Sequence, residues 1–187
     1  MELIPLESQA LIEQAAGWLA EKRNRQWLDS GSGGQQLGPV ALKVMSRGDG
    51  HILRAFTSDE TGEAIGLVAL SSVNRDFRSA LLWALLGDRR YAAKGYVFRA
   101  TSAMLTLGFA EYGLECISAW AVECNHASLR ILKKLNFKPI GRQRDCHYID
   151  GHPFDRLLFE LQSSDHRMKP ELASNITPLS RPPRRLI

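Results

Sequence analysis

At 187 residues, and with about 150 residues to a typical domain, the chain has room for one domain with an appendage and excludes a multi-domain machine. Hydrophobic residues make up 44% and charged residues 24%, a balance that builds a packed core and excludes disorder throughout. Of the net charge of +4, the segment from Ser163 onward carries +3, so the basic excess lies in the tail and the body of the chain offers no signature of a nucleic-acid partner.

Three cysteines, Cys116, Cys124 and Cys146, have no CxxC spacing and leave an odd one out, which fits reduced thiols and a cytoplasmic location. The opening MELIPLESQALIEQ lacks a basic segment followed by an apolar one. No apolar run approaches the roughly 18 residues of a membrane span, so neither secretion nor a membrane partner is expected.

Met1 to Leu6 reads as a short strand, and Ser8 to Arg23 as a helix with Leu11, Ile12, Ala15, Trp18 and Leu19 at helical spacing. Asp29 to Gly38 is too rich in Gly and Ser to pack and is predicted as a loop, with a weak helix following around Val40 to Ser46. His51–Thr57, Ala64–Val73 and Ala80–Leu86 are β-like runs joined by short connections, which suits antiparallel neighbours. The period then changes: Val97, Ala100, Thr101, Met104, Leu105 and Gly108 trace the longest helix. Cys116 to Val122 is apolar on both faces and predicts a central strand covered on both sides. Asn125 to Leu135 predicts a helix with Asn125 as N-cap and Leu129, Leu132 and Leu135 inward. Phe137–Tyr148 and Phe154–Gln162 complete a hairpin at Asp150-Gly151. The expected fold class is α/β (α+β), with a mixed, mostly antiparallel sheet flanked by helices on both faces. Residues 1–162 would form this domain, and 163–187 a flexible, basic, Pro-rich tail.

The most informative segment is Gly87-Asp-Arg-Arg-Tyr-Ala-Ala-Lys-Gly-Tyr96, between a strand and the start of the long helix. At such a junction free backbone N–H groups and the positive end of the helix dipole offer an anion site. Ala92, Ala93 and Gly95 are small enough for a pyrophosphate to approach the backbone, and Arg89, Arg90 and Lys94 add charge.

This loop resembles the R/Q-x-x-G-x-G/A acetyl-CoA loop of the GNAT superfamily of N-acetyltransferases, matched by Arg90-Tyr-Ala-Ala-Lys-Gly95. Ala93 stands where the family usually has Gly, a methyl that the turn accommodates at negative φ. ECNHASLRILKKLNF looks like the family's N-x-x-S/A…L…K-x-G-F segment, with Asn125, Ser128, Lys134 and Phe137 in register and Asn136 in place of Gly. GRQRDCHYIDGHPFDRLLFEL is similar to the closing hairpin of the ribosomal-protein-alanine and spermidine acetyltransferase branches. In element order the resemblance covers Met1 to Leu161; its sequence-specific part is Leu85 to Leu161.

The resemblance implies transfer of an acyl group from acetyl-CoA to a primary amine, directly within a ternary complex, with no metal. It also implies that the strand before the loop splays from its neighbour, leaving N–H groups near Leu85, Leu86 and Gly87 free for the thioester carbonyl and pantetheine arm. Tyr96, at the start of the helix, is among the expected coenzyme-binding residues, and Lys134 more often lies on a solvated helix face than against the 3′-phosphate. Several branches carry a Tyr as general acid where this chain has Leu132, which passes that role to Ser128. An Asn125 cap on the Ser128 amide is ordinary helix capping, and both roles can hold together. Glu123 and His147 are the candidate bases, with Asp150 and Tyr148 behind them. Trp83 faces either the core or the acceptor. A monomer or homodimer is expected, with a protein N-terminus or a small amine as acceptor. The competing reading is a catalytically idle acyl-CoA-binding module whose tail recruits a partner.

Overall fold

A computed structural model describes residues 1–29 and 37–166. The expected Gly/Ser-rich loop falls largely, and the expected flexible tail mostly, outside the described residues. Strand β1 (Leu3–Pro5) leads into α1 (Gln9–Ala20), where the Ser8 side chain accepts the Leu11 N–H at 3.2 Å and fixes the helix start. Helix α2 (Lys22–Arg25) is a single turn, and α3 (Pro39–Arg47) starts with Pro at its first position, where no N–H is missed. Strands β2 (His51–Thr57), β3 (Ala64–Asn74) and β4 (Ser79–Leu86) form an antiparallel meander. Then come α4 (Tyr96–Ala110), β5 (Cys116–Val122), α5 (His126–Lys134), β6 (Lys138–Ile149) and β7 (His152–Gln162).

All seven strands form one sheet in the order β1-β2-β3-β4-β5-β7-β6. Asp150 and Gly151 both have positive φ, 51° and 81°, as the two-residue hairpin between β6 and β7 requires. The hairpin folds back so that β7, not β6, pairs with β5. Helices cover both faces of the sheet. On one, α4 and α5 bury Ala100, Met104, Leu107, Leu132 and Leu135 against Val68, Leu70, Ile117 and Ala119. On the other, Ile12, Ala15 and Leu19 of α1 and Leu42 of α3 pack on Leu53, Ala55, Leu67 and Leu85. Full burial of the leucine, isoleucine, valine and methionine side chains among them stabilises by about 1.5–3 kcal/mol each.

Strand β5 is internal, as expected, but only one of its faces is fully covered. Ile117, Ala119 and Ala121 are buried, whereas Ser118 and Trp120 on the opposite face are half-exposed. Ser163–Asp165 forms a 3-10 turn, and the His166 Nε2 lies 2.9 Å from the Thr106 Oγ1, with its ring 5.2 Å from Phe109. Burial there pushes the His166 pKa down.

Candidate active site

The site originates in a defect of the sheet. Strands β4 and β5 are the only parallel neighbours among the described residues, and they pair at three positions, Ser79↔Cys116, Ala80↔Ile117 and Leu81↔Ser118. Beyond them the strands diverge into a V. A cavity of about 490 Å³ runs through this V, lined by Leu82 to Leu86 on one arm and Ala119 to Ala121 on the other. Its walls continue to the loop before α4, the first turns of α4 and α5, and the end of α2.

The backbone of β4 determines what the V offers. The Gly87 N–H donates to the Ile65 carbonyl at 2.9 Å, and antiparallel ladders alternate every second residue. Leu85 and Trp83 therefore also direct their N–H groups to β3, whereas Ala84 and Leu86 direct theirs into the V. The expectation of free N–H groups at Leu85 and Gly87 is corrected on this ground: both are spent on β3. Of the three, Leu86 directs its N–H into the V, as does Ala84.

The loop is shaped by its own side chains. The Asp88 carboxylate accepts the Arg90 N–H at 3.0 Å, capping a 3-10 turn over Arg89–Tyr91, and grips the Arg90 guanidinium at 2.7 Å. These hydrogen bonds, the guanidinium's first, hold the Asp88 carboxyl below the usual carboxylate range. Arg90 is thereby turned aside, and Lys94 is drawn 2.8 Å from Glu60; neither lines the cavity. Arg89 does line it and has no ion-pair partner among the described residues. Tyr91 and Tyr96, both buried, meet edge-to-face at 5.6 Å and anchor the loop from below.

Ala92, Ala93 and Gly95 line the cavity, and Gly95 caps α4 with φ 82° and no side-chain hydrogen bond. Ala93 adopts φ 61°, not the negative value expected, so its methyl is carried in the left-handed region at a cost of about 1–2 kcal/mol. The turn that glycine usually makes is made all the same. One turn into α4, Thr101 lines the same cavity, with a buried Oγ1 that has no hydrogen-bond partner among the described residues.

Helix α5 supplies the opposite wall. The Asn125 side chain accepts the Ser128 N–H at 3.2 Å, the expected cap, and both residues line the cavity. Ala127, Arg130, Ile131 and Lys134 follow at helical spacing on the same face. Arg130 and Lys134 have no ion-pair partner among the described residues, which gives the cavity three unspent cations with Arg89. Leu132 lines the cavity too, at its apolar floor, where it is also part of the core under α5.

The expected bases lie elsewhere. Glu123 accepts the Asp155 N–H at 3.0 Å and pairs with Arg142 at 3.3 Å, bracing the bulge in β6. The buried His147 donates from Nε2 to the Gln26 carbonyl at 2.7 Å and accepts from the Arg156 guanidinium at Nδ1, so both ring nitrogens are engaged. Tyr148 is exposed, and Asp150 pairs with Lys22 at 2.5 Å. None of the four lines the cavity, each being claimed by a contact distant in sequence or by solvent. Trp83 does both things weighed for it: it packs beside Leu85 on the α1 side and lines the cavity, its Nε1 donating to the Ser71 Oγ at 2.8 Å.

This V-shaped cleft, between parallel strands and beside a helix N-terminus, sits in a chain that belongs to the acetyltransferase (GNAT) domain family, whose description matches residues 6–138. An uncharacterized N-acetyltransferase of Bacillus licheniformis, p20, is 27% identical over 107 residues, which cover 57% of this chain and 60% of that protein. YoaA, an uncharacterized N-acetyltransferase of Bacillus subtilis strain 168, is 26% identical over 102 residues, 54% of this chain and 57% of that protein. The chain thus spans less than two thirds of the length of these curated relatives.

Among solved structures, the spermidine N-acetyltransferase of Vibrio cholerae in complex with CoA and spermine superposes with a TM-score of 0.75 at 15% identity, over 87% of this chain and 95% of that one. The ribosomal-protein-S5-alanine acetyltransferase of Vibrio fischeri gives 0.70 at 21% identity, over 87% and 93%. At these identities the likeness establishes the fold.

Proposed function

We propose that the protein is an acetyl-CoA-dependent N-acetyltransferase that passes the acetyl group directly to a primary amine in a ternary complex. One observation carries the reading: a cavity lies in the V between β4 and β5 and is lined by elements from both faces of the sheet, with cations unpaired among the described residues and the α4 N-terminus on one side. A thioester and an amine can meet there from opposite faces.

On this reading the coenzyme phosphates lie against the backbone of Ala92 to Gly95 at the positive end of α4, with Arg89, Arg130 and Lys134 around them. The N–H groups of Ala84 and Leu86 hold the amides of the pantetheine arm and polarise the thioester carbonyl. The neutral amine attacks that carbonyl carbon, the C–N bond forms, and the C–S bond breaks to release CoA thiolate. The amine proton leaves to water, since Glu123 and His147 are bound elsewhere. Ser128, half-buried at the start of α5, supplies or relays the proton that the thiolate takes up, a modest demand for a thiol whose pKa is about 8.5.

The idle-module alternative rested on Ala93 and on the missing Tyr at Leu132. Ala93 makes the left-handed turn regardless, and a proton route through Ser128 or water needs no Tyr. The test is calorimetric titration of the full chain with acetyl-CoA, followed by thiol release against pooled amines. Binding with amine-dependent release is expected; binding without release from any amine would overturn transfer, and no binding would overturn the site.

A further inference from the structure

The acceptor end of the cavity has its own chemistry. Three of the protein's four tryptophans, Trp27, Trp83 and Trp120, line this one cavity. Trp83 and Trp120 each lie two residues beyond the last paired position of their strand, Leu81↔Ser118, and so stand at equivalent heights on the two arms of the V. Both are on the face opposite the α4 core, where Leu82 and Ala119 point. Trp27 closes the third side from the turn after α2, its N–H donating to the Asn24 carbonyl at 3.1 Å.

Each ring is held. Trp83 is oriented by its bond to Ser71. The Arg156 guanidinium lies 4.2 Å from the Trp120 ring centre and is itself fixed by Asp29 at 2.8 Å and by His147, whose other nitrogen reaches Gln26, the neighbour of Trp27. Polar ties between the segment after α2 and the β6–β7 hairpin thus hold the Trp120 wall.

No Asp or Glu lines the cavity among the described residues, and residues 30–36 contain none. The nearby carboxylates are committed: Glu21 to Arg23 at 2.5 Å, and Asp29 to Arg156. A second ammonium brought in beside the reacting nitrogen would be desolvated without a counter-charge, next to a ring already stacked by a guanidinium.

We infer that the acceptor is a primary amine on an apolar, planar body, an arylalkyl amine or an aromatic N-terminal residue, and not a polyamine. This rests on the proposed acetyl transfer. The walls would recognise the planar body by ring contact and area burial, with Trp27 as a specificity-determining residue.

The experiment measures thiol release by the full chain with acetyl-CoA and, separately, 2-phenylethylamine, the tripeptide Phe-Gly-Gly and spermidine. An aromatic acceptor should exceed spermidine in kcat/KM by at least about tenfold, and the better of the two aromatic amines names the source. Trp27→Ala should raise KM for that amine about tenfold with kcat little changed, and Trp27→Phe should restore most of the loss. Spermidine as the better acceptor would overturn the inference while leaving acetyl transfer standing, and so would an unchanged KM in folded Trp27→Ala. Acetyl-CoA binding without thiol release from these or pooled amines would remove both readings.

Discussion

Replacing Gly87 with alanine tests how the end of β4 is set. A Cβ added at Gly87 would stand 2.1, 2.3 and 2.5 Å from three atoms of the Trp18 ring. Since carbon atoms rest about 3.5 Å apart or more, the nearest ring atom at 2.1 Å would have to retreat by roughly 1.4 Å. Trp18 has nowhere to go: it is 8% exposed, on a helix face whose neighbours Ala15 and Leu19 are 0% and 5% exposed. Either α1 lifts from the sheet or the strand end shifts, and with it the Gly87 and Asp88 N–H groups that share the Ile65 carbonyl. Overpacking of this kind costs about 3 kcal/mol. At about 2–4 °C per kcal/mol for a chain of this size, Gly87→Ala should melt roughly 6–12 °C below wild type. Thermal unfolding followed by circular dichroism reads the shift, and coenzyme titration of the folded variant should show weakened binding. A melting temperature within about 2 °C of wild type would refute the argument that Gly87 is required by the close approach of the Trp18 ring.

Arg89→Ala should weaken acetyl-CoA binding about tenfold in calorimetry while Arg90→Ala changes it less than about threefold, because Asp88 holds Arg90; the reverse order would sink the phosphate assignment. Ser128→Ala should lower kcat at least about tenfold with coenzyme affinity nearly unchanged, and equal turnover would reduce Ser128 to a recipient of the Asn125 cap. Gly95→Glu should abolish coenzyme binding without unfolding the protein, since nothing lies within 4 Å of its Cβ; the φ of 82° adds some strain, and retained affinity would overturn the loop's role. The Asp155 carboxyl is held below the ordinary carboxylate range, first by the Asp145 N–H and then by Arg142. A depressed folded pKa gives stability that is present above the unfolded value of about 3.9 and lost as pH falls through the folded one. Asp155→Asn should therefore melt below wild type at neutral pH and converge on it in acid; a constant gap from pH 7 down to 2 would contradict this.

The fold was legible wherever one side of an element is apolar. The period of Val97 to Gly108 marks α4, and Asp150-Gly151 marks the hairpin, because both residues readily adopt the positive φ angles that a type I′ turn needs. Helix α2 escaped because KRNR has no apolar stripe. The insertion of β7 between β5 and β6 escaped because the pattern of a hairpin does not say which of its strands meets the sheet.

In the site, the loop's position was legible and its arginines were not. Arg89 and Arg90 look alike until Asp88 is seen to fold onto the second of them. Glu123 and His147 were singled out by residue type, but one partner of each, Asp155 and Gln26, lies 32 and 121 residues away. Arg130 was missed, although Ala127, Arg130, Ile131 and Lys134 share one helical face that also carries the expected Lys134. Trp27 and Trp120 carried no local signal, since only the divergence of β4 and β5 brings them to one cleft.

That divergence also has a mechanical side. The sheet amounts to two antiparallel halves, β1–β4 and β5–β7, stitched by three residue pairs and the α4 crossover. Its weakest line and the proposed binding cleft are the same line, so a ligand whose amides pair with Ala84 and Leu86 would close the seam as a further strand would. Amide hydrogen exchange at these two residues should slow when the cleft is filled, and the two halves should then unfold as one.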